Sequence, residues 1–292
     1  MALRTPTDLG PMLLPGAQNY SERCFTLAHD AAGHIPHVTD IAYGSDPFQK
    51  LDLWVPTRGE PGPMPLIVFF HGGAWRNGYK EWIGAMAPTL TALPAVLAAP
   101  NYRLVPHVRL EQVVEDGWRA LAWLGHHAAH YGADTSHVIL AGHSAGAYLA
   151  ARLASDTRRL IAPDMPALTI SSCISVSGVF GFSPDMLLPH DARKAWLDEL
   201  FSTPQDAQEA SLDNHLHAEA PTCHFIVGQH DLPEVLSDHA RIQSQADKLG
   251  MSYTATTIEG ADHFEAHLAC LDPHSELLAR ARRPRGAAPR RE

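Results

Sequence analysis

The segment VILAGHSAGAYLAARLAS, residues 138–155, leaves the backbone few solutions. Val138, Ile139 and Leu140 begin a run suited to a strand covered on both faces, and AYLAARLA suits a helix. Between them stands Gly142-His143-Ser144-Ala145-Gly146, so the chain must turn sharply from strand to helix at a serine. Glycines two residues to either side let neighbouring backbone pass without a Cβ clash. Such a turn lifts the hydroxyl above a sheet, at the N-terminus of the next helix. There the helix dipole and the Ala145 N–H favour negative charge on a nearby oxygen.

The rest of the chain fits that turn. Residues 37–44 and 50–56 read as two short strands joined by a polar turn with Gly44, Asp46 and Pro47. Continuous apolar runs at 65–70 and 95–103 suit buried strands, and further strands are expected at 137–142, 167–178, 222–228 and 251–260. Helices are expected at 110–130, 144–155, 233–249 and 263–281, the first from the spacing of Val114, Trp118 and Leu121. Alternating strands and helices predict an α/β fold, a mainly parallel sheet with helices on both faces. Three segments depart from that rhythm. Residues 1–36, rich in Pro, Gly and His, read as an irregular N-terminal arm, and 37–281 as the main domain. Residues 179–220, with Phe180, Phe182, Met186, Leu187, Leu188, Trp196 and Phe201 among prolines and charges, read as a small helical insertion. It is either an ordinary connection or a cover for substrate, since ligands of such sheets bind at the carboxyl ends of the strands. Residues 282–292 close a basic, proline-containing end that reads as disordered.

Composition narrows the function class. The formal net charge is −10, although the end from Ala279 carries six arginines against one glutamate. A nucleic-acid partner is not expected. No run approaches the roughly 18 apolar residues of a membrane span, and no secretory signal opens the chain. Cys24, Cys173, Cys223 and Cys270 are widely spaced and read as reduced, buried thiols, as in a cytoplasmic protein. The expected partner is a small molecule, with a homodimer as an open option.

A serine hydroxyl needs a base to become a nucleophile. In a strand-turn-helix sheet of this type the partners follow in the order Ser, acid, His, each just past a later strand. Asp231, three residues after Gly228, and His263, three after Gly260, stand in those places. His230 and Asp262 adjoin them and are the weaker alternatives. Among 19 histidines, His126, His127 and His130 lack the glutamate of a zinc-binding H-E-x-x-H, and His215 and His217 show no ligand partners. The sequence implies neither a metal nor an organic cofactor. FFHGGAW, residues 69–75, ends the third strand, and backbone donors from Gly72 and Gly73 with Ala145 read as an oxyanion site. Whether Ala74 contributes is open. Trp75, Tyr102 and Phe180 are candidate substrate contacts, or else core.

These motifs resemble the α/β-hydrolase superfamily and, within its H-G-G branch, the arylformamidase family. HGGAW matches the family's H-G-G-x-W, GHSAGAYL its G-H-S-A-G-A-H-L save for Tyr148, and QHDLPE its Q-H-D-S-P-E save for Leu232. The likeness covers residues 38–280. It implies an α/β-hydrolase fold and a Ser144–Asp231–His263 triad cleaving an N-formyl aryl amide through a formyl-enzyme. Ala74, where the family often has an aromatic residue, and NYRLVP at 101–106 look more like the branch's esterases, so small acyl or aryl esters are the alternative. A non-catalytic hydrolase-fold protein is the third, although such proteins usually lack a triad member.

Overall fold

Each of the eight expected strand segments contains a strand in the computed structural model, which describes residues 12, 14–56, 63–160, 162, 164–182 and 190–281. The strands are β1 His37–Ala42, β2 Lys50–Trp54, β3 Met64–Phe70, β4 Val96–Pro100, β5 Ala133–His143, β6 Ile170–Val176, β7 Thr222–Gly228 and β8 Tyr253–Ile258. They form one sheet in the order β1-β2-β4-β3-β5-β6-β7-β8. β2 runs antiparallel to both of its neighbours, and every other pairing is parallel. This is the α/β-hydrolase arrangement that the sequence implied.

The helices are α1 Ala17–Ala32, α2 Lys80–Gly84, α3 Ala87–Thr91, α4 Leu110–His127, α5 Ala145–Ala154, α6 Thr157–Leu160, α7 His190–Leu200, α8 Pro204–Ala210, α9 Pro233–Leu249, α10 His263–Ala269 and α11 Glu276–Ala281. Strand pleating divides the sheet's side chains between two cores. Leu66, Val68 and Phe70 of β3 face a core completed by Trp118, Leu121 and Leu149 of α4 and α5 and Ile242 of α9. Ile67 and Phe69 face the other, completed by α1, α2, α3, α10 and α11 through Cys24, Trp82, Met86, Leu90, Ala266 and Leu277. Among the described residues no helix is long and apolar enough to cross a membrane. All four cysteines are buried and unpaired.

Two expectations need correction. The arm is not irregular throughout, because residues 17–32 form a 16-residue helix. It buries Tyr20, Cys24, Ala28 and Ala31, a stripe at helical spacing made mostly of small side chains. The helix expected over 263–281 ends at Ala269 and resumes at Glu276. Pro273, which lacks an N–H, lies in the break. The described part of 179–220 holds α7, α8 and a 3-10 turn at Leu212–Asn214. Residues 183–189 and the tail 282–292, read as disordered, lie outside the described residues.

An ion pair between half-buried Arg103 and buried Asp116 fastens the loop after β4 to α4. Asp116, fully buried, accepts from the Arg103 backbone at 2.9 Å and from its guanidinium at 2.6–3.1 Å. Gln49 Nε2 donates to the same carboxylate at 2.7 Å. Removing the carboxylate leaves the buried Gln49 amide and the Arg103 N–H without their acceptor. Asp116→Ala is therefore expected to cost about 2 kcal/mol. Urea denaturation would show this as a lower midpoint at unchanged slope.

Candidate active site

Ser144 joins β5 directly to α5 with φ 56° and ψ −119°, a left-handed conformation rare outside glycine. The strain is held from both sides. A Cβ on Gly142 would meet the Gly146 carbonyl oxygen at 2.1 Å, and one on Gly146 would meet the Phe70 carbonyl oxygen at 2.1 Å. The Ser144 N–H donates to Val176 O of β6 at 2.9 Å. Glycine is required at both positions because three backbone segments pass in contact.

His263 and Asp231 reach this serine from the ends of β8 and β7. His263 Nδ1 lies 2.7 Å from Asp231 Oδ1, and its Nε2 lies 2.9 Å from Ser144 Oγ. A carboxylate only accepts, so Nδ1–H donates to it, and Nε2 of the neutral ring accepts from the serine hydroxyl. Asp231 also accepts from Ser177 Oγ at 2.5 Å, from Gly228 N–H at 3.2 Å and from Leu232 N–H at 2.8 Å. Burial pushes its pKa up. The hydrogen bond and charge of His263, with the Ser177 and Leu232 donors, outweigh this and hold the carboxyl below its usual range. The weaker alternatives lie elsewhere. His230 is exposed, and Asp262 caps α10 by accepting from Phe264 N and Glu265 N. That cap sets the helix whose first residue is His263.

A cavity of about 60 Å³ opens beside Ser144. At roughly 10–15 Å³ per water it has room for about four to six waters. Gly72, Gly73, Ala74, His143, Ser144 and His263 line it, together with Met12, Leu14, Ala17, Tyr20, Trp82 and Phe264. Gly72 and Gly73, expected as oxyanion donors, are thus at the cavity, and so is Ala74. Ala145 opens α5 next to Ser144, in the first turn, whose N–H groups have no intrahelical acceptor.

None of the three expected substrate contacts lines this cavity. Trp75 is fully buried among Tyr148, Phe182 and Trp196. Phe180 packs against Phe225 and His239 in the core. Tyr102 stacks on His71 at 4.3 Å and donates its hydroxyl to His71 O at 2.7 Å, so it supports the glycine loop from behind. Nor do the described residues of 179–220 reach the cavity. α7 sits beside it, with Trp196 Nε1 donating to Ala74 O at 3.2 Å and Arg76 paired to Glu199 at 3.1 Å. Among the described residues it is the arm that lines the cavity.

The arm also reaches a buried stack of imidazoles that the sequence reading did not anticipate. His143 Nε2–H donates to the His263 carbonyl at 2.9 Å, and its ring stacks on His267 at 5.0 Å. The Tyr20 hydroxyl lies 2.8 Å from His267 Nδ1, and the Tyr20 ring stacks on Phe264 at 4.8 Å. Only the G-x-S-x-G motif hinted at His143. His267, one turn after His263 on α10, carried no signal among so many histidines. His126, His127 and His130 are exposed, and His215 and His217 bond to the carbonyls of Glu209 and Ser155. Among the described residues no group of three or more His, Cys, Asp or Glu could hold a metal ion.

A family model described as alpha/beta hydrolase fold matches residues 67–264. The chain is 36% identical over 111 residues to a probable isoprenylcysteine alpha-carbonyl methylesterase of Arabidopsis thaliana, covering 38% of this chain and 23% of that protein. It thus spans about a quarter of that relative's length. It is 26% identical over 229 residues to a kynurenine formamidase of Danio rerio, covering 77% of this chain and 74% of the other. Its structure resembles esterase B of Lactobacillus Rhamnosis with a TM-score of 0.74 at 20% identity, covering 90% and 89% of the two chains.

The buried histidines make the fold acid-sensitive. Burial pushes His71 and His239 down to about 4 and His267 to about 3, against an ordinary 6.5. Below pH 6.5 the unfolded chain binds a proton at each of these rings that the folded chain refuses, so stability falls as pH falls. The slope is about 1.4 kcal/mol per pH unit for each ring. Urea denaturation at pH 7 and pH 5.5 is expected to show a loss of about 4 kcal/mol. Equal midpoints at the two pH values would contradict neutral rings.

Proposed function

This chain belongs to the α/β-hydrolase family, and from that membership we propose that it is a serine hydrolase of N-formyl aryl amides, N-formylkynurenine-like in class. The carrying observation is the pair of bonds at His263, 2.7 Å to Asp231 and 2.9 Å to Ser144, with the serine held on a left-handed turn. In the proposed reaction Ser144 Oγ attacks the formyl carbon while His263 Nε2 takes the hydroxyl proton. The carbonyl oxygen becomes an oxyanion facing the amides of Gly72 or Gly73 and Ala145. Protonated His263 then gives its proton to the departing aryl nitrogen, leaving a formyl ester on Ser144. Water enters, His263 removes its proton, and formate departs as the serine is restored. Asp231 keeps the ring oriented and stabilises its charged form throughout.

Two observations support the formyl class. The cavity at Ser144, about 60 Å³, accepts a one-carbon acyl group readily. The likeness to a kynurenine formamidase extends over 77% of this chain. The likeness to a methylesterase favours a second reading on the same machinery, hydrolysis of small carboxylic esters. Both reactions pass through one acyl-serine intermediate, so the fold does not separate them. The four buried, unpaired thiols support a cytoplasmic location.

The experiment is a comparison of kcat/KM for formanilides, N-formylkynurenine among them, and for short-chain aryl esters. A brisk formamidase rate is the expected outcome, and brisk ester cleavage with no detectable formamide turnover would reject the formyl class. In Ser144→Ala, labelling by a fluorophosphonate should disappear and kcat should fall on the order of 10⁶-fold. Asp231→Asn should cost about 10⁴-fold. Labelling that survives in Ser144→Ala would remove the serine from its proposed role.

A further inference from the structure

The proposed triad accounts for one of the two carboxylate oxygens of Asp231. Oδ1 meets His263 and the Leu232 N–H, while Oδ2 accepts from the Gly228 N–H at 3.2 Å and from Ser177 Oγ at 2.5 Å. The two backbone donors belong to the turn that carries Asp231 itself. Ser177 comes from another strand end, immediately after β6, and is the only side chain besides His263 that an assigned bond brings to this carboxylate among the described residues. It is fully buried.

The backbone at Ser177 has φ 51°, which costs energy for any residue with a Cβ. Glycine would fit without strain, and Gly178 stands next to it. A serine kept in that conformation, with its hydroxyl spent on a neighbouring carboxylate, implies that the hydroxyl matters more than the backbone comfort. The position is also structurally central. Val176 O accepts from the Ser144 N–H, and the Ser177 N–H donates to Ile226 O of β7 at 2.8 Å. Two consecutive residues of β6 and its end thus tie the serine on one side to the acid on the other.

We propose that Ser177 is a positioning residue. Its hydroxyl donates to Asp231 Oδ2, directs Oδ1 at Nδ1 of His263, and so sets the ring that serves Ser144. The proposal rests on the hydrolase reading above, but on neither of its substrate classes. A donor on the charged carboxylate also favours its ionised form and spreads its charge. The ionisable groups that sense this carboxylate are His263, bonded to it, and His239 of α9, whose ring feels its charge. His143 faces His263, and His267 of α10 also feels its charge.

The test uses the full chain, with Ser177→Gly and Ser177→Ala beside the wild type. Glycine removes the hydroxyl while accepting φ 51° freely, so S177G is expected to keep the fold, which thermal denaturation checks. The readouts are the fluorophosphonate labelling rate as a function of pH, and kcat and KM on any substrate the wild type cleaves. Expected for both variants is a loss on the order of ten- to a hundredfold in labelling rate and kcat, with KM nearly unchanged. The acid limb should also move to higher pH, because a carboxylate stripped of one donor holds the imidazolium more tightly. S177G with wild-type rates overturns the proposal, and so does a slower S177G whose acid limb has not moved. A wild type that neither labels nor cleaves anything overturns the hydrolase reading itself, and the wild-type control tells that failure from the failure of Ser177 alone.

Discussion

The site depends on one strained backbone turn. Ser144 occupies φ 56° because β5 must end and α5 begin with no residues to spare, and the sheet supplies what holds it there. Phe70 O of β3 stands where a side chain on Gly146 would be, and Val176 O of β6 receives the serine's own N–H. The turn is thus clamped between the two strands that flank β5. A flexible loop could present a hydroxyl, but only by ordering it anew at each encounter. Here the ordering is done when the sheet forms, and the hydroxyl faces Nε2 at 2.9 Å before any ligand arrives.

Polar groups behind the site are neutral wherever their geometry allows. His143, His267 and His71 are buried rings whose burial disfavours the charged form. Asp231 is the charged exception, held by donors on both oxygens. The ring at 263 thus has a carboxylate on one flank and, on the other, imidazoles whose burial disfavours charge. Tyr20 connects the arm to this arrangement through His267, so α1 belongs to the site's frame as well as to its cover.

Most of this was readable in the residues, and the exceptions share a physical cause. Period-2 alternation and continuous apolar runs placed all eight strands, because a sheet covered on both faces leaves an unambiguous pattern. Ser144, Asp231 and His263 could be named from their distance past strand ends, since a parallel sheet delivers successive strand ends to one rim. α1 was hidden because its buried face is built from Tyr20, Cys24, Ala28 and Ala31, where pattern reading looks for large aliphatic side chains. Trp75, Tyr102 and Phe180 were expected at the substrate because large aromatics near a motif invite that reading. The structure instead spends them on packing around the glycine loop and β7. Ser177 left no local trace at all. Its partner lies 54 residues away, and only the adjacency of β6 and β7 brings them together.

The arm's place at the cavity bears on the proposed substrate. Met12, Leu14 and, from α1, Ala17 and Tyr20 line the space at Ser144 with Trp82 and Phe264, about 60 Å³ in volume. A void near 150 Å³ is what an engineered apolar cavity needs to take up a benzene ring. The space at the serine is far below that, which on the proposed reading suits a small acyl end there. Formamide and short ester hydrolysis therefore ask the same thing of this wall.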